Sequence, residues 1–279
     1  MQANALTQNE SAATSARGSS FFTAMRIMPA HQRQAMYEIY HFCRAVDDIA
    51  DEAGEAAVRL TQLQQWRDDL AALYAGNPTL AHAGLAVAVR DFGLRHEDFL
   101  AVIDGMEMDV RGPIQAPDMA TLELYCDRVA CAVGRLSVRV FGMNEADGLA
   151  LAHHLGNALQ LTNILRDIDE DAGIDRLYLP RELLVKHGIE SSSPQTVVAD
   201  ARVGAVCNEL AVVAQTHFNT ADAIMRRGTR AQIRTPRVMA EAYHAIYAGL
   251  MARGFAAPRP RVKLNKAKLG LIVIRHLLF

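Results

Sequence analysis

Two stretches of this 279-residue chain, 30–53 and 157–172, contain neither glycine nor proline, and both are apolar around most of a helical projection. The first carries Met36, Ile39, Phe42, Val46 and Ile49; the second, just after Leu155, carries Leu159, Leu161, Ile164 and Leu165. A helix apolar nearly all round is buried among other helices. Each run nevertheless holds carboxylates four residues apart, Asp47 with Asp51 and Asp167 with Asp171. Four residues is about one helical turn, so each pair projects from one face. Like charges at that spacing weaken a helix by about 0.2–0.5 kcal/mol. Two such pairs point to something positive held between them, and a hard cation is the leading candidate.

Glycine and proline punctuate the rest. Breaks at Gly54, Gly76-Asn77-Pro78, Gly93, Gly112-Pro113, Gly142, Gly173, Pro180, 188–194, Gly228 and Pro236 leave helical segments at 55–75, 79–92, 95–110, 118–141, 145–171, 181–187, 197–227 and 234–254. Strand-type alternation bounded by hairpin turns is missing. The expectation is an all-α protein of roughly ten helices with short connections. No linker divides the chain, so residues 18–279 read as one helical domain behind a disordered polar tail at 1–17.

Twenty-nine basic against 31 acidic residues leave a net charge of −2, which gives no reason to expect nucleic acid as a partner. Cys43, Cys126, Cys131 and Cys207 lack metal-ligand spacing and read as reduced thiols. The tail has no apolar run and so is no secretory signal, and no segment reaches the ~20 apolar residues of a spanning helix. A cytoplasmic protein is expected.

The acids belong to longer stripes. Tyr40, Arg44, Asp47 and Asp51 fall at i, i+4, i+7 and i+11; Gln160, Asn163, Asp167 and Asp171 fall at i, i+3, i+7 and i+11. A polar stripe on a buried helix faces solvent or a cavity. Solvated faces carry Lys and Glu rather than Gln, Asn and Asp, which favour caps and turns, and two matched stripes favour an inward-facing metal site. Carboxylates without His or Cys suit Mg²⁺ rather than zinc, and Mg²⁺ is usually shared with substrate phosphates. His153 and His154 are adjacent, point apart on a helix and read as packing or surface residues. A diphosphate clamped by Mg²⁺ with an apolar interior behind it suits an isoprenoid diphosphate.

These residues resemble a family. Leu155 to Pro180, with Gly156, Gln160, Asn163, Arg166-Asp167, Asp171, Arg176, Tyr178 and Pro180, is similar to the second motif of the squalene/phytoene synthase family. The stretch Phe42 to Asp51 resembles its first aspartate motif, Ser19-Ser20-Phe21-Phe22 its start, Tyr125-Cys126 through Ala130 to Gly134 its central helix, and Arg261-Val262 its last helix. The resemblance runs over about residues 18–275, and the second motif is the specific one. Ser19 to Met28, Cys126 to Ala130 and Gly134 to Ser137 look most like the bacterial members of hopanoid pathways that make presqualene diphosphate.

The resemblance implies an isoprenoid-synthase-type bundle with a central apolar cavity, in which two farnesyl diphosphates condense head to head. Asp47, Asp51, Asp167 and Asp171 would hold more than one Mg²⁺, supported by Asp48 and Asn163. Arg44, Arg166 and Arg261 would take diphosphate oxygens, and Arg176 and Tyr178 would lie in a loop over them. Gln160 belongs to the same stripe, and Phe21, Phe22, Tyr40, Tyr125 and Tyr243 are candidates to line the cavity or to be ordinary core. Many relatives carry an aromatic residue at 127 or 128 and a small one at 131, where this chain has Asp127, Arg128 and Cys131. That aromatic is implicated in reductive squalene synthases, so its absence implies a reaction that stops at presqualene diphosphate without NADPH, leaving squalene formation to downstream enzymes.

Asp47-Asp48-x-x-Asp51 also occurs in chain-elongating prenyltransferases and terpene cyclases. The former pair two such motifs, and the latter place Ser or Thr and then Glu where this chain has Asp167 and Asp171. Phytoene or dehydrosqualene synthase is the near alternative and a non-catalytic helical scaffold the remote one; a scaffold is expected to lose a motif carboxylate, and none is missing. For the basic C-terminal residues Arg259, Lys263, Lys266, Lys268 and Arg275, a solvated end and loose docking on anionic lipid both stay open.

Overall fold

The computed structural model describes residues 20–52 and 54–278; the 1–17 tail and Ser19 lie outside them. In chain order the helices are α1 (Ser20–Met25), α2 (Ala30–Asp51), α3 (Ala56–Tyr74), α4 (Ala83–Phe92), α5 (His96–Arg111), α6 (Met119–Cys126), α7 (Ala132–Val140), α8 (Glu145–Arg166), α9 (Ile168–Gly173), α10 (Arg181–Lys186), α11 (Pro194–Ala199), α12 (Val203–Met225), α13 (Arg230–Arg253) and α14 (Lys266–Leu278). A 3₁₀ turn at Leu80–His82 leads into α4, and a π turn at Asp127–Cys131 joins α6 to α7. Among the described residues there is no strand, only an isolated bridge between Gln115 and Leu177. The all-α expectation holds.

Local chemistry starts the helices where the sequence allows. Asp118 accepts a hydrogen bond from the Thr121 amide at 2.8 Å and Asn144 one from the Asp147 amide at 2.9 Å, each satisfying an orphan donor of a first turn. Thr229 and Gln232 form a reciprocal capping box at the start of α13. That box explains why α13 begins at Arg230; the helix then runs through Pro236, where the sequence predicts a break. The proline removes one ladder bond, at a cost of about 3 kcal/mol in a helix interior, and buried Ile233, Val238 and Met239 around it offset the loss.

Three further boundaries differ from the sequence reading. The 197–227 segment is two helices, α11 and α12, separated at Asp200, whose carboxylate binds the Arg202 amide at 2.8 Å instead of letting the helix continue. The 118–141 segment is interrupted by the π turn. The 145–171 run breaks at Asp167 (φ −104°, ψ 14°), yet the Asp167 amide still bonds the Asn163 carbonyl at 2.9 Å and the Asp171 amide the Asp167 carbonyl at 2.7 Å. The chain bends there without losing the one-turn relation between the two acids.

Helix α8 is the central element, in contact with α7, the π turn, α12 and α13, while α5 packs on α2, α3, α7 and the π turn. Close approach of α8 to the π turn depends on Gly156: a Cβ there would lie 2.8 Å from the Cys131 Cα and 2.9 Å from its amide nitrogen. Those are backbone atoms and do not give way as a flexible side-chain tip does. Gly156→Val is therefore expected to destabilise the protein by about 1–3 kcal/mol. A thermal melt is expected to show a midpoint lower by about 2–4 °C for each kcal/mol lost.

Candidate active site

The two stripes arrive at a common centre, and a residue that the sequence does not single out sits at it. Asp109, on α5, is buried, with 8% of its surface exposed. Its carboxylate accepts hydrogen bonds from the Tyr125 hydroxyl at 3.0 Å and the Tyr178 hydroxyl at 2.9 Å, and the Arg176 guanidinium lies 3.9 Å away. Arg176 also donates to Asp51 at 3.1 Å, so one cation ties the first motif to Asp109. The Arg176 amide bonds the Asp171 carbonyl at 2.8 Å, which brings the same residue to the second motif. A signal for Asp109 exists in the sequence: Asp98, Val102, Met106 and Asp109 share a stripe of α5, which puts acids at core positions.

The carboxyls repel one another in a partly dry setting. Burial, then the charge of Asp51, pushes Asp47 up to about 6; Arg44 opposes the shift, and Asp48 and Asp109 add to it. Burial, then Asp167, pushes Asp171 up to about 7, with Arg176 opposing and Asp109 and Glu170 adding. Asp109 is raised chiefly by burial. Asp109 thus acts on an acid of each motif, so both motifs lie within electrostatic reach of it.

Arginines ring this acid cluster. Arg44 donates to Asp47 at 3.1 Å and pairs with Asp48 at 2.6 Å. Arg166 forks onto Asp167 at 2.8 and 2.5 Å, and Arg261 reaches the same carboxylate at 2.9 Å. Arg259, one of the basic C-terminal residues, is not solvated. Its guanidinium is almost fully buried and forks onto Asp169, with contacts of 2.6–3.1 Å, while also donating to the Val198 carbonyl at 2.7 Å.

Next to the acids lies an apolar cavity of about 250 Å³. Phe21, Tyr40, Leu159 and Tyr243 line it, as do Gln160 and Asn163 from the turns before Asp167. Each stripe therefore runs from acid to cavity wall. Phe22 and Tyr125 are not on that wall: Phe22 stacks on Tyr37 with ring centroids 5.6 Å apart, and Tyr125 stacks on Tyr178 at 4.8 Å. Asp127, Arg128 and Cys131 are off it as well. Asp127 takes both Arg135 nitrogens at 2.7 and 3.3 Å, Arg128 lies 3.9 Å from Asp104, and Val129 and Ala130 are the residues of this turn that face the cavity.

The residues suit a hard cation. The donors are all oxygens, and their charge is incompletely balanced. The Asn163 Oδ1 is buried with no hydrogen-bond partner, although its amide nitrogen lies 3.4 Å from Gln160 Oε1.

Comparison with known proteins agrees with this geometry. Residues 14–268 match the squalene/phytoene synthase family. The chain belongs to that family. A presqualene diphosphate synthase of Rhodopseudomonas palustris is 58% identical over 261 residues, 94% of each chain. A presqualene diphosphate synthase of Sinorhizobium fredii is 54% identical over 95% of each chain. In fold, a crystal structure of a dehydrosqualene synthase in complex with ligand superposes with a TM-score of 0.85 at 22% identity, over 98% of this chain and 96% of that one. The squalene/phytoene synthase family processes prenyl diphosphates, a chemistry compatible with the divalent-metal use that the acid cluster suits.

Asp109→Ala is expected to strand the Tyr178 hydroxyl, since Tyr125 can still donate to the Tyr178 oxygen at 3.2 Å; a buried donor left unpaired costs about 1–3 kcal/mol, and urea unfolding should show the lower midpoint. Asp171→Asn acts in the opposite direction. The Asp171 carboxyl holds its proton to about pH 7 in the folded chain, whereas an unfolded aspartate releases it near pH 4. As pH rises from 4 to 7 the unfolded state sheds a proton that the native state keeps, so wild-type stability falls across that window. In chelator, Asp171→Asn should melt above wild type at pH 8 and converge with it near pH 4.

Proposed function

We propose that this chain condenses two farnesyl diphosphates head to head into presqualene diphosphate, with Mg²⁺ and without NADPH. The observation that carries the reading is the single path from acid cluster to apolar cavity, charged head and greasy tail accommodated by one site. The names of the relatives at 58 and 54% identity support the same product.

In this reading Asp47, Asp48, Asp51, Asn163, Asp167 and Asp171 hold the metal, more than one ion of it. Bound Mg²⁺ supplies charge stabilisation to a departing diphosphate. Arg44, Arg166, Arg176 and Arg261 already stand beside the acids, and their forked donors match diphosphate oxygens. Tyr178 and Tyr125 fix the Asp109 carboxylate and thereby the position of Arg176. Phe21, Tyr40 and Tyr243 belong to the apolar wall that would shield the allylic cation from water. Gln160 and Asn163 meet the substrate where head joins tail. Squalene-forming enzymes downstream would consume the product.

The chain also fits loose attachment to a membrane surface. No helix among the described residues is long and apolar enough to cross a membrane. On α14, Leu271, Ile274 and Leu277 are exposed, with Lys266 and Lys268 on the same helix and Lys263 just before it. Apolar side chains flanked by lysines are the composition of an interfacial helix.

Purified protein with Mg²⁺ and farnesyl diphosphate, with no NADPH, is expected to give presqualene diphosphate by mass spectrometry. Phytoene from geranylgeranyl diphosphate as the main product would replace this reading with its carotenoid counterpart. Asp47→Ala and Asp167→Ala should each abolish turnover while leaving helical circular dichroism intact; near-wild-type activity in either would remove that residue from the metal site. Flotation with anionic liposomes should carry the protein upward, and no shift at physiological salt would count against surface docking.

A further inference from the structure

Adjacent helical residues normally diverge, and the sequence alone predicts that for His153 and His154. In the structure they converge on His217 of α12. The His154 Nδ1 lies 3.1 Å from the His217 Nδ1. Ring centroids are 4.9 Å apart for His153 and His154, 5.1 Å for His154 and His217, and 5.6 Å for His153 and His217. One ring nitrogen from each of the three lies within 4.8 Å of the others. His217 enters from the facing helix and sits against both neighbours on α8, so the wedge is a product of the α8–α12 packing.

Three features select a ligand class. The donors are all imidazoles, which suit borderline transition metals and not Mg²⁺. The 3.1 Å separation of the paired nitrogens is close to the roughly 3.3 Å edge of a tetrahedron built on metal–nitrogen bonds of about 2.0–2.1 Å. No acidic side chain contributes to the environment of His217: burial and then His154 and His153 lower it to about 4, and burial and then His153 lower His154. At neutral pH these two rings are uncharged, the form that binds metal. A simple ring–ring hydrogen bond would employ His154 and His217 and leave His153 without a role.

A second grouping, His153 with Asp127 and Cys131, is a poorer site. Asp127 is taken up by Arg135, and the buried Cys131 thiol is pushed up to about 12, chiefly by burial, and donates to the His153 carbonyl at 3.3 Å.

We propose that His153, His154 and His217 form a binding site for a borderline divalent transition metal of the Zn²⁺ or Co²⁺ type, clamping α8 to α12 and leaving a fourth position to water. This site is separate from the acid cluster, and its donors are of a different chemical class. A metal there would bind the native state and not the separated helices, so it would raise the melting temperature.

The test is metal binding by the chelator-stripped full chain in excess Mg²⁺, which occupies the carboxylates. Titration with Zn²⁺ is expected to fill one site, and with Co²⁺ to produce the intense visible absorption of a tetrahedral nitrogen-rich complex. His153→Gln, at an exposed position, and His217→Gln should each weaken binding at least tenfold and abolish the Zn²⁺-induced rise in melting temperature. The Asp167→Ala/Asp171→Ala double variant should keep both responses. Undiminished binding in the histidine variants, loss of it in the aspartate variant alone, or no binding by wild type would overturn the proposal.

Discussion

Repulsion within one cluster of carboxylates is the constraint that the side chains around it answer. Asp47, Asp51, Asp109, Asp167 and Asp171 come from separate parts of the chain; Asp109 is buried and the motif acids are exposed to differing degrees, so their mutual repulsion is strongest toward the buried side. The arginines at 44, 166, 176 and 261, and the tyrosine hydroxyls on Asp109, answer that repulsion unevenly: Arg44 and Arg176 each serve two carboxylates, while Asp167 takes two arginines. Groups that would carry a diphosphate are therefore the groups that make the acid cluster tolerable.

Much of this is legible in the sequence, and the reason is locality. A helical stripe is a property of a dozen consecutive residues, so Tyr40 to Asp51 and Gln160 to Asp171 can be read without knowing what lies opposite. Asp109 needs non-local information: the stripe of α5 marks both Asp98 and Asp109 as core-side acids, and only the packing of α5 against its neighbours shows which of them meets the motifs. The same holds for Arg259, which looks like any basic residue near a chain end until Asp169 is found beside it. Phe22 and Tyr125 illustrate the converse. Their residue type suits a cavity wall, but neighbouring aromatics hold them in stacks instead. Boundaries fail where a side chain competes with the helix ladder, as at Asp200, or where burial holds a proline inside a helix, as at Pro236.

The π turn changes how the unusual residues at 127, 128 and 131 are read. An extra residue in one turn rotates the side chains after it about the helix axis, so Asp127 and Arg128 are held in ion pairs away from the cavity while Val129 and Ala130 face it. Residue types at 127 and 128 act on the cavity only through the shape of that turn. Val129 and Ala130 are what this turn contributes to the cavity wall.

The buried fork of Arg259 on Asp169, and Arg261 on Asp167 beside it, have a consequence for how the protein comes into being. The acids of α2, α5 and the α8–α9 bend all leave the ribosome well before residue 259. Through most of synthesis the growing chain carries this cluster without two of the cations that complete it. The bundle can collapse early, since its apolar helices are present, but the second motif reaches its final electrostatic state only when the segment after α13 folds back across α9. Until then Asp169 lacks its buried partner and Asp167 one of its two arginines, which leaves both carboxylates with more negative charge to share with a bound cation.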